Sequence, residues 1–534
     1  MAKYQTQPVL SVDTSTTGPG EGHSNCTVLE YYRSMFAYSP RYLDRKANSP
    51  SFQCLRFVGI LGIWLAGLIC STATSNPHEL PSLGDGSSSI VSPQMEARIG
   101  SVFLKQLNAT LPMADDVVIQ YYVEQQIAFL AQYSEMQQPL QAIAVVDNPQ
   151  INAFAAPGGI IGINLGLLIY AQDSAEYSSV IAHEMAHLSQ RHFARGIQAQ
   201  QANSIPSMIG LLTALLVGAA GGTDAGIAAL STAQAINQSN QLRFSREREQ
   251  EADRIGLTTL VRAKIDPTGQ ARMFERMQQA YRFTRRPPEF LLTHPLSESR
   301  ISDAKNQARS ITNVASIDPE QELDFQIARI RAEQAFTVNT AFAVTKFRKA
   351  VNDKPADLAR NYGLALALSR NGDHAEAVDR ARRLYRHDPA SVLYISAYAD
   401  ILIEAGRLDQ AKDLLSGALL YYPDSYPISM LLAQTLINEE RFGEANAIYK
   451  QLSKQRPHDT LVWFQLAETS GLAGNVTEVH LARAEYFYLN GASHRAIQHL
   501  EYAKNLVAGG NQQLHAKLTQ RIQDLRTEIR ASQG

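Results

Sequence analysis

The chain has 534 residues, of which 45% are hydrophobic, and its formal net charge at pH 7 is −2. That length exceeds one ordinary domain and that hydrophobic share supports buried cores, while so small a charge leaves no electrostatic footprint for nucleic acid. The three cysteines, Cys26, Cys54 and Cys70, all precede residue 71, which excludes disulfides and thiolate metal sites from everything after it.

From the N-terminus, Phe57 to Ile69 is an uncharged apolar run of thirteen residues, preceded by Arg41, Arg45, Lys46 and Arg56 and followed by Ser71, Thr72 and Ala73. This layout predicts a secretory signal peptide cleaved after Ala73, because thirteen residues are too few to span a bilayer comfortably. An uncleaved anchor is the competing reading. Cys70 follows Ile69 rather than a small residue, which argues against a lipoprotein. Residues 1–56 are long for a leader, so either translation starts at Met35 or a disordered extension comes first. Residues 1–73 are thus expected as extension and signal peptide, and 74–92, rich in Ser, Gly and Pro, as a linker.

Helical patterns follow around Ile99-Phe103-Leu107 and Val118-Tyr122-Ile127-Leu130. Ala142 to Val146 and Ile160 to Ile163 read as short strands, with Asn152 to Ala155 between them. An edge strand there would let a substrate pair with it, although core packing alone also explains these apolar pieces.

Ser174 to Ala194 lacks Pro and Gly, opens at Asp173-Ser174 and precedes Gly196, which predicts a helix. Val180, Ile181, Met185 and Leu188 would bury one stripe, leaving His183-Glu184-Met185-Ala186-His187 toward a cleft. Two histidines four apart on a helix suit two ligands of a tetrahedral zinc, and Glu184 is placed to act as general base on water activated by the metal. Met208 to Ala220 is apolar, Gly221 to Gly226 interrupts it and Ile227 to Leu230 resumes. Neither arm is long enough to cross a membrane, so 202–243 is expected as an inserted helical hairpin. It would be buried against the core, or would contact a membrane surface or an unfolded client. In Phe244 to Gly256, Glu249 and Asp253 lie four apart on a second helical stretch. One carboxylate can bind the metal while the other accepts the free N–H of a ligand histidine; alone, this would read as a solvated charged face.

The C-terminal region repeats. Pro355, Pro389, Pro423 and Pro457 are each 34 residues apart, Ala365, Ala399, Ala433 and Ala467 keep the period, and the turn position reads Gly372, Gly406, Glu440, Gly474. That period with Pro after the second helix identifies tetratricopeptide repeats, an all-α solenoid over 316–534 with about four repeats and capping helices. Ala484, Gly491 and Ala496 repeat the same offsets after a slip of half a repeat. Tyr394, Tyr398, Trp463, Phe464, Tyr486 and Tyr488 are candidates for a concave protein-binding face, although most are expected to pack between helices.

His183-Glu184-x-x-His187 followed by Glu249-x-x-x-Asp253, with Asn152 to Gly159 before them and His294-Pro295 with Arg300-Ile301 after, resembles the M48 family of zinc peptidases. The resemblance implies an α+β zincin-type (gluzincin) domain over 93–315, mostly helical with a small sheet. It implies one zinc per subunit, held by His183, His187 and Glu249, with Glu184 as general base and Asp253 behind a ligand. His294 would be a fourth ligand that acts as a gate, a donor to the oxyanion, or a plain loop histidine. It further implies a metalloendopeptidase exported to the periplasm, peripheral to the outer membrane. There it would act on unfolded or misassembled outer-membrane proteins, with the repeats contacting barrel-assembly machinery. The competing class is a non-proteolytic chaperone or adaptor with a closed zinc site.

Overall fold

A computed structural model of the chain describes residues 91–200, 246–282, 289–311 and 317–533. The expectations for the signal peptide in 1–73, for the linker up to residue 90 and for the hairpin at 202–243 lie outside the described residues. Among the described residues no helix is long and apolar enough to cross a membrane.

Helix α1 (Pro93–Thr110) starts where its chemistry directs: Ser92 accepts from Met95 N at 3.2 Å, and Pro93 sits where no backbone donor is needed. Asp116 likewise caps α2 (Val117–Ala131) through Val118 N and Ile119 N. A three-stranded sheet follows, β1 (Ala142–Val146), β2 (Ala153–Ala156) and β3 (Ile160–Asn164), in the order β1-β3-β2. β1 runs parallel to β3 and β2 antiparallel to it, so Asn152 to Ala155, expected only as the stretch between strands, contributes an edge strand of its own. Gly158 and Gly159, at φ 79° and 77°, supply the left-handed backbone that turns β2 into β3.

α1 approaches this turn closely at Gly100, where an added Cβ would lie 2.4 Å from Pro157 O. Both sides are backbone and cannot swing away, so Gly100→Ala is expected to cost about 1–3 kcal/mol in urea unfolding. Gly417, exposed on a helix with nothing within 4 Å of a built Cβ, is the control: Gly417→Ala should stabilise by about 0.4–1 kcal/mol.

After α3 (Leu165–Tyr170), α4 (Ser174–Ser189) forms the axis of the region that precedes the repeats. It packs against α2, β2, α6 (Arg246–Arg262), α7 (Thr268–Arg282) and α10 (Pro319–Ala335), and every residue from Ser174 to His187 is buried. The predicted apolar stripe is present, but the histidine face is buried too rather than lining an open cleft. Asp173 caps the helix by accepting from Glu176 N at 2.8 Å, and Arg276 neutralises the buried Glu176 through two 2.8 Å bonds.

The helix does not continue to Ala194. It ends at Ser189, Arg191 takes φ 49°, and α5 (His192–Gln200) starts afresh. The cause is tertiary: Arg191 donates from Nε to Glu96 on α1 at 3.1 Å and from Nη2 to Val91 O at 2.7 Å, contacts that hold its backbone in a region non-glycine residues rarely adopt. Short helices α8 (Glu289–Thr293) and α9 (Glu298–Ser310) complete the region.

From α10 onward the chain is a helical repeat. α11 (Thr340–Asp353) leads into the pairs α12–α13 (Leu358–Asn371, His374–His387), α14–α15 (Val392–Glu404, Leu408–Leu419), α16–α17 (Tyr426–Asn438, Phe442–Gln455) and α18–α19 (Thr460–Leu472, Val476–Leu489). α20 (Ser493–Val507) and α21 (Gln512–Gln533) close it. The turn position keeps positive φ throughout, 89° at Gly372, 70° at Gly406 and 76° at Gly474, and even Glu440 adopts 60°. Gly491, at φ 71°, repeats the turn where the half-repeat slip was expected.

The leading helices expected to line a concave face are partly covered by other helices of the chain, and the expected packing of aromatics between helices is seen at Tyr394 and Tyr398. The leading helices α12, α14 and α16 are buried along most or all of their length, because α10 packs on α12 and α2 packs on α16. Buried Arg331 on α10 donates from Nε to Asp116 at 2.6 Å and from Nη1 to the Tyr362 hydroxyl at 2.9 Å. Arg456 makes two bonds to Glu124 of α2, at 2.6 and 3.0 Å, and stacks 3.9 Å above the Tyr426 ring. Those inner surfaces are thus filled by the chain's own helices. Tyr394 and Tyr398 are buried between helices, and Tyr488 is covered by Lys105 at 3.8 Å and Arg521 at 4.6 Å.

Candidate metal centre

Helical spacing puts His183 and His187 on one face of α4, and α6 lies across that face. A Cβ added at Gly256 of α6 would be 3.1 Å from His183 N, so glycine is what lets the two helix backbones come this close. The approach brings Glu249 and Asp253 to the histidines. His294, at the end of α8, closes the group from a third direction.

His183, His187, Glu249 and His294 are all buried, and each offers one donor atom within 4.8 Å of the others. His183 Nε2 is 3.0 Å from His187 Nε2 and 3.4 Å from His294 Nδ1. Glu249 Oε1 is 3.5 Å from His187 Nε2 and 3.2 Å from His294 Nδ1, and Glu249 Oε2 is 3.6 Å from His183 Nε2. Donors at bond lengths of about 2.0–2.1 Å around a tetrahedral ion stand about 3.3–3.4 Å apart, so these separations have the right size. The donor set of imidazoles and one carboxylate fits a borderline divalent ion.

The proton chemistry agrees. His183 Nδ1 lies 2.9 Å from Asp253 Oδ1, so in the neutral ring the hydrogen belongs on Nδ1 and Nε2 is the nitrogen that would face a bound ion. Burial disfavours a charge on His183, but Asp253 and Glu249 outweigh it and push its pKa up to about 10. Burial and the neighbouring His183 hold His187 well below the usual imidazole range. Glu249 and Asp253 stay low despite burial, Glu249 chiefly through His294 and His183, Asp253 chiefly through Arg300 and His183. The cluster therefore draws one positive charge even from its own side chains, which a bound cation would equally satisfy.

Glu184 is 0% exposed and among the described residues neither carboxylate oxygen has a hydrogen-bond partner; His294 Nε2 comes within 3.5 Å of Oε1. A buried carboxylate without donors is costly, and such groups are concentrated where chemistry requires them. Beside the site, a cavity of about 100 Å³ is lined by Ala155, Ala156 and Gly158 from β2 and its turn together with His187 and Arg191.

The structure thus brings all six sequence-predicted residues together. It also adds two for which the sequence suggested no role. Arg300, on α9, is buried and grips Asp253 with Nε at 2.7 Å and Nη2 at 2.8 Å, while Nη1 reaches Glu249 and Pro295 O, each at 2.9 Å. His192 touches His187 from behind. Arg300 stood in the motif quoted above but nothing local told what it would hold, and His192 was read as part of an unbroken helix.

A buried two-histidine, one-glutamate cluster with a second glutamate beside it, in a helical domain joined to a repeat solenoid, defines a metallopeptidase of the HExxH class. The sequence model of peptidase family M48 matches residues 119–308, and that of the tetratricopeptide repeat matches 368–435 and 402–468. A Vibrio cholerae relative, provisionally named as a beta-barrel assembly-enhancing protease, is 31% identical over 443 residues, spanning 82% of this chain and 90% of that one. The beta-barrel assembly-enhancing protease of Escherichia coli K12 is 28% identical over 465 residues, 86% of this chain and 94% of its own. Mitochondrial metalloendopeptidase OMA1 of Saccharomyces cerevisiae matches over 172 residues at 33% identity, 30% of this chain and 45% of its own. The chain belongs to peptidase family M48, in the form that carries C-terminal tetratricopeptide repeats, and it is a metalloendopeptidase.

Proposed function

We propose that this chain is a zinc endopeptidase of the periplasm that cleaves unfolded or stalled outer-membrane β-barrel proteins, with a peptidase domain over 93–315 and a recognition solenoid over 316–534. The observation that carries the proposal is the cluster of donors 3.0–3.6 Å apart with the buried Glu184 carboxylate at its edge. The relatives' names, beta-barrel assembly-enhancing proteases, support proteolysis linked to beta-barrel assembly.

In this reading His183, His187 and Glu249 hold the ion, and Asp253 fixes His183 through Nδ1. A zinc ion there supplies Lewis acidity, lowering the pKa of water toward neutrality and polarising the scissile carbonyl. Glu184 takes the proton of the attacking water and passes it to the leaving amine. The outer edge of β2 can accept an extended substrate as an added strand, presenting its carbonyl beside His187. The solenoid binds clients or assembly partners through surfaces other than the inner helices already covered by α2 and α10.

His294 is the gate. Its Nδ1 stands with the donors, 3.2 Å from Glu249 and 3.4 Å from His183, while its Nε2 faces Glu184. A fourth protein donor closes a site that catalysis needs open. His294→Ala is expected to raise the rate of cleavage of an unfolded barrel protein several-fold, with chelation abolishing cleavage in both forms and zinc restoring it. A drop to background in the variant would place His294 on the oxyanion instead and sink the gate. The same four-donor closure favours, as second reading, an adaptor that works through its repeats with zinc locked in place.

A further inference from the structure

A polar chain runs outward from the centre behind His187. His192 Nδ1 lies 2.8 Å from His187 Nδ1, and His192 Nε2 lies 3.1 Å from Glu251 Oε2. Arg195, almost one turn further along α5, places Nη1 3.2 and 3.1 Å from the two oxygens of Glu251. His192 itself is 0% exposed. In an unbroken helix His192 would lie about 140° round from His187 and could not face it. The break at Gln190 and Arg191 is what folds α5 back and lets the two rings meet, 4.9 Å between centroids and 74° between planes.

Hydrogen accounting along this chain determines the tautomers. A carboxylate only accepts, so Glu251 takes the hydrogen on His192 Nε2. The Nδ1 of a neutral His192 is then a lone pair, and it takes the hydrogen on His187 Nδ1. His187 is left with its lone pair on Nε2, the nitrogen that faces His183 and Glu249 inside the cluster. The two ligand histidines are therefore oriented by different devices: Asp253 holds His183 directly at 2.9 Å, and Glu251 holds His187 through an intervening imidazole. Glu251, by helical periodicity, sits about 200° round α6 from Glu249, so it reaches the centre only through that ring.

We propose that His192 is a positioning residue for the metal site, linking the Glu251 carboxylate to His187 so that the His187 ring is held with Nε2 turned into the cluster. The inference rests on the reading of His187 as a metal ligand. Partners of this kind typically govern metal affinity by 10–100-fold.

The test is zinc affinity of the full-length protein, measured by competition with a chromophoric chelator. His192→Phe keeps the ring but removes the acceptor, and should weaken zinc binding about 10–100-fold. His192→Asn places its Oδ1 near the position of the lost Nδ1, and should restore affinity to within about threefold of wild type. Glu251→Leu, at a partly exposed position, should give an intermediate loss of about three- to tenfold. A purely structural role would not distinguish Asn from Phe in affinity while both stay folded. The relay is overturned if His192→Phe binds zinc as tightly as wild type, if Asn loses as much as Phe, or, should Phe fail to fold, if Glu251→Leu binds as wild type does. Wild-type protein that takes up no zinc would overturn the ligand reading beneath it, which is a separate outcome.

Discussion

Glu184→Gln is expected to lose cleavage of unfolded protein by about 10³–10⁴-fold in kcat, at the upper end of what general acid–base catalysis contributes, with KM little changed. Glutamine has the same shape and fits the same buried space, but it cannot accept a proton from water or return one to the leaving amine. Glu184 is outside the set of clustered donors, so zinc content should stay at one per chain. Stability should move the other way. Both oxygens of Glu184 are buried without hydrogen bonds among the described residues, so exchanging the carboxylate for a neutral amide should leave the unfolding midpoint equal or higher. Loss of activity with a gain in stability is the signature of a group kept for chemistry. Retained cleavage would sink the mechanism, and lost cleavage with barrel assembly fully supported in cells would favour the adaptor reading.

Arg300→Met is expected to be the most damaging single change to the site's architecture, about 3–5 kcal/mol in urea unfolding together with a 10–100-fold weaker grip on zinc. The guanidinium is buried and makes four contacts with three partners: Asp253 twice, Glu249 and Pro295 O. It also sits 5.1 Å from the Phe274 ring centre. Removing it takes from buried Asp253 its strongest partner and from Glu249 one of its contacts, and the cost of an under-compensated buried charge exceeds the net worth of the pair itself. Asp253 would then lose its fixed orientation toward His183, and Pro295 its anchor next to His294. Methionine fills similar volume, which separates loss of charge from loss of packing. Arg300→Lys should recover only part of the loss, since an ammonium cannot grip Asp253 with two parallel bonds and reach Glu249 as well. An Arg300→Met protein with wild-type stability and zinc affinity would refute this account.

Much of the centre was legible in the chain because helical periodicity is local. Two histidines four apart, and a glutamate and aspartate four apart, share a face in any helix, so His183, His187, Glu249 and Asp253 were readable without a fold. The repeats were readable for the same reason, their 34-residue period surviving even where Glu440 stands at a glycine turn. The helix expected to reach Ala194 instead stops at Ser189, and no Gly or Pro marks the break. Its cause is a bond from Arg191 to Glu96, 95 residues away. The filled inner face of the solenoid rests on pairs still more distant, such as Arg456 with Glu124.

By itself, then, the sequence determined which donors exist, which of them share a helical face, and that a repeat solenoid follows the peptidase. Only the tertiary structure decided that His294 stands among those donors, that Arg300 neutralises the carboxylates, and that His192 stands behind His187. The physical reason is one of range. Donor type and helical phase follow from the backbone within a turn or two. Convergence of donors to 3.0–3.6 Å, and the protonation that each must carry there, depend on packing between segments that no local pattern relates.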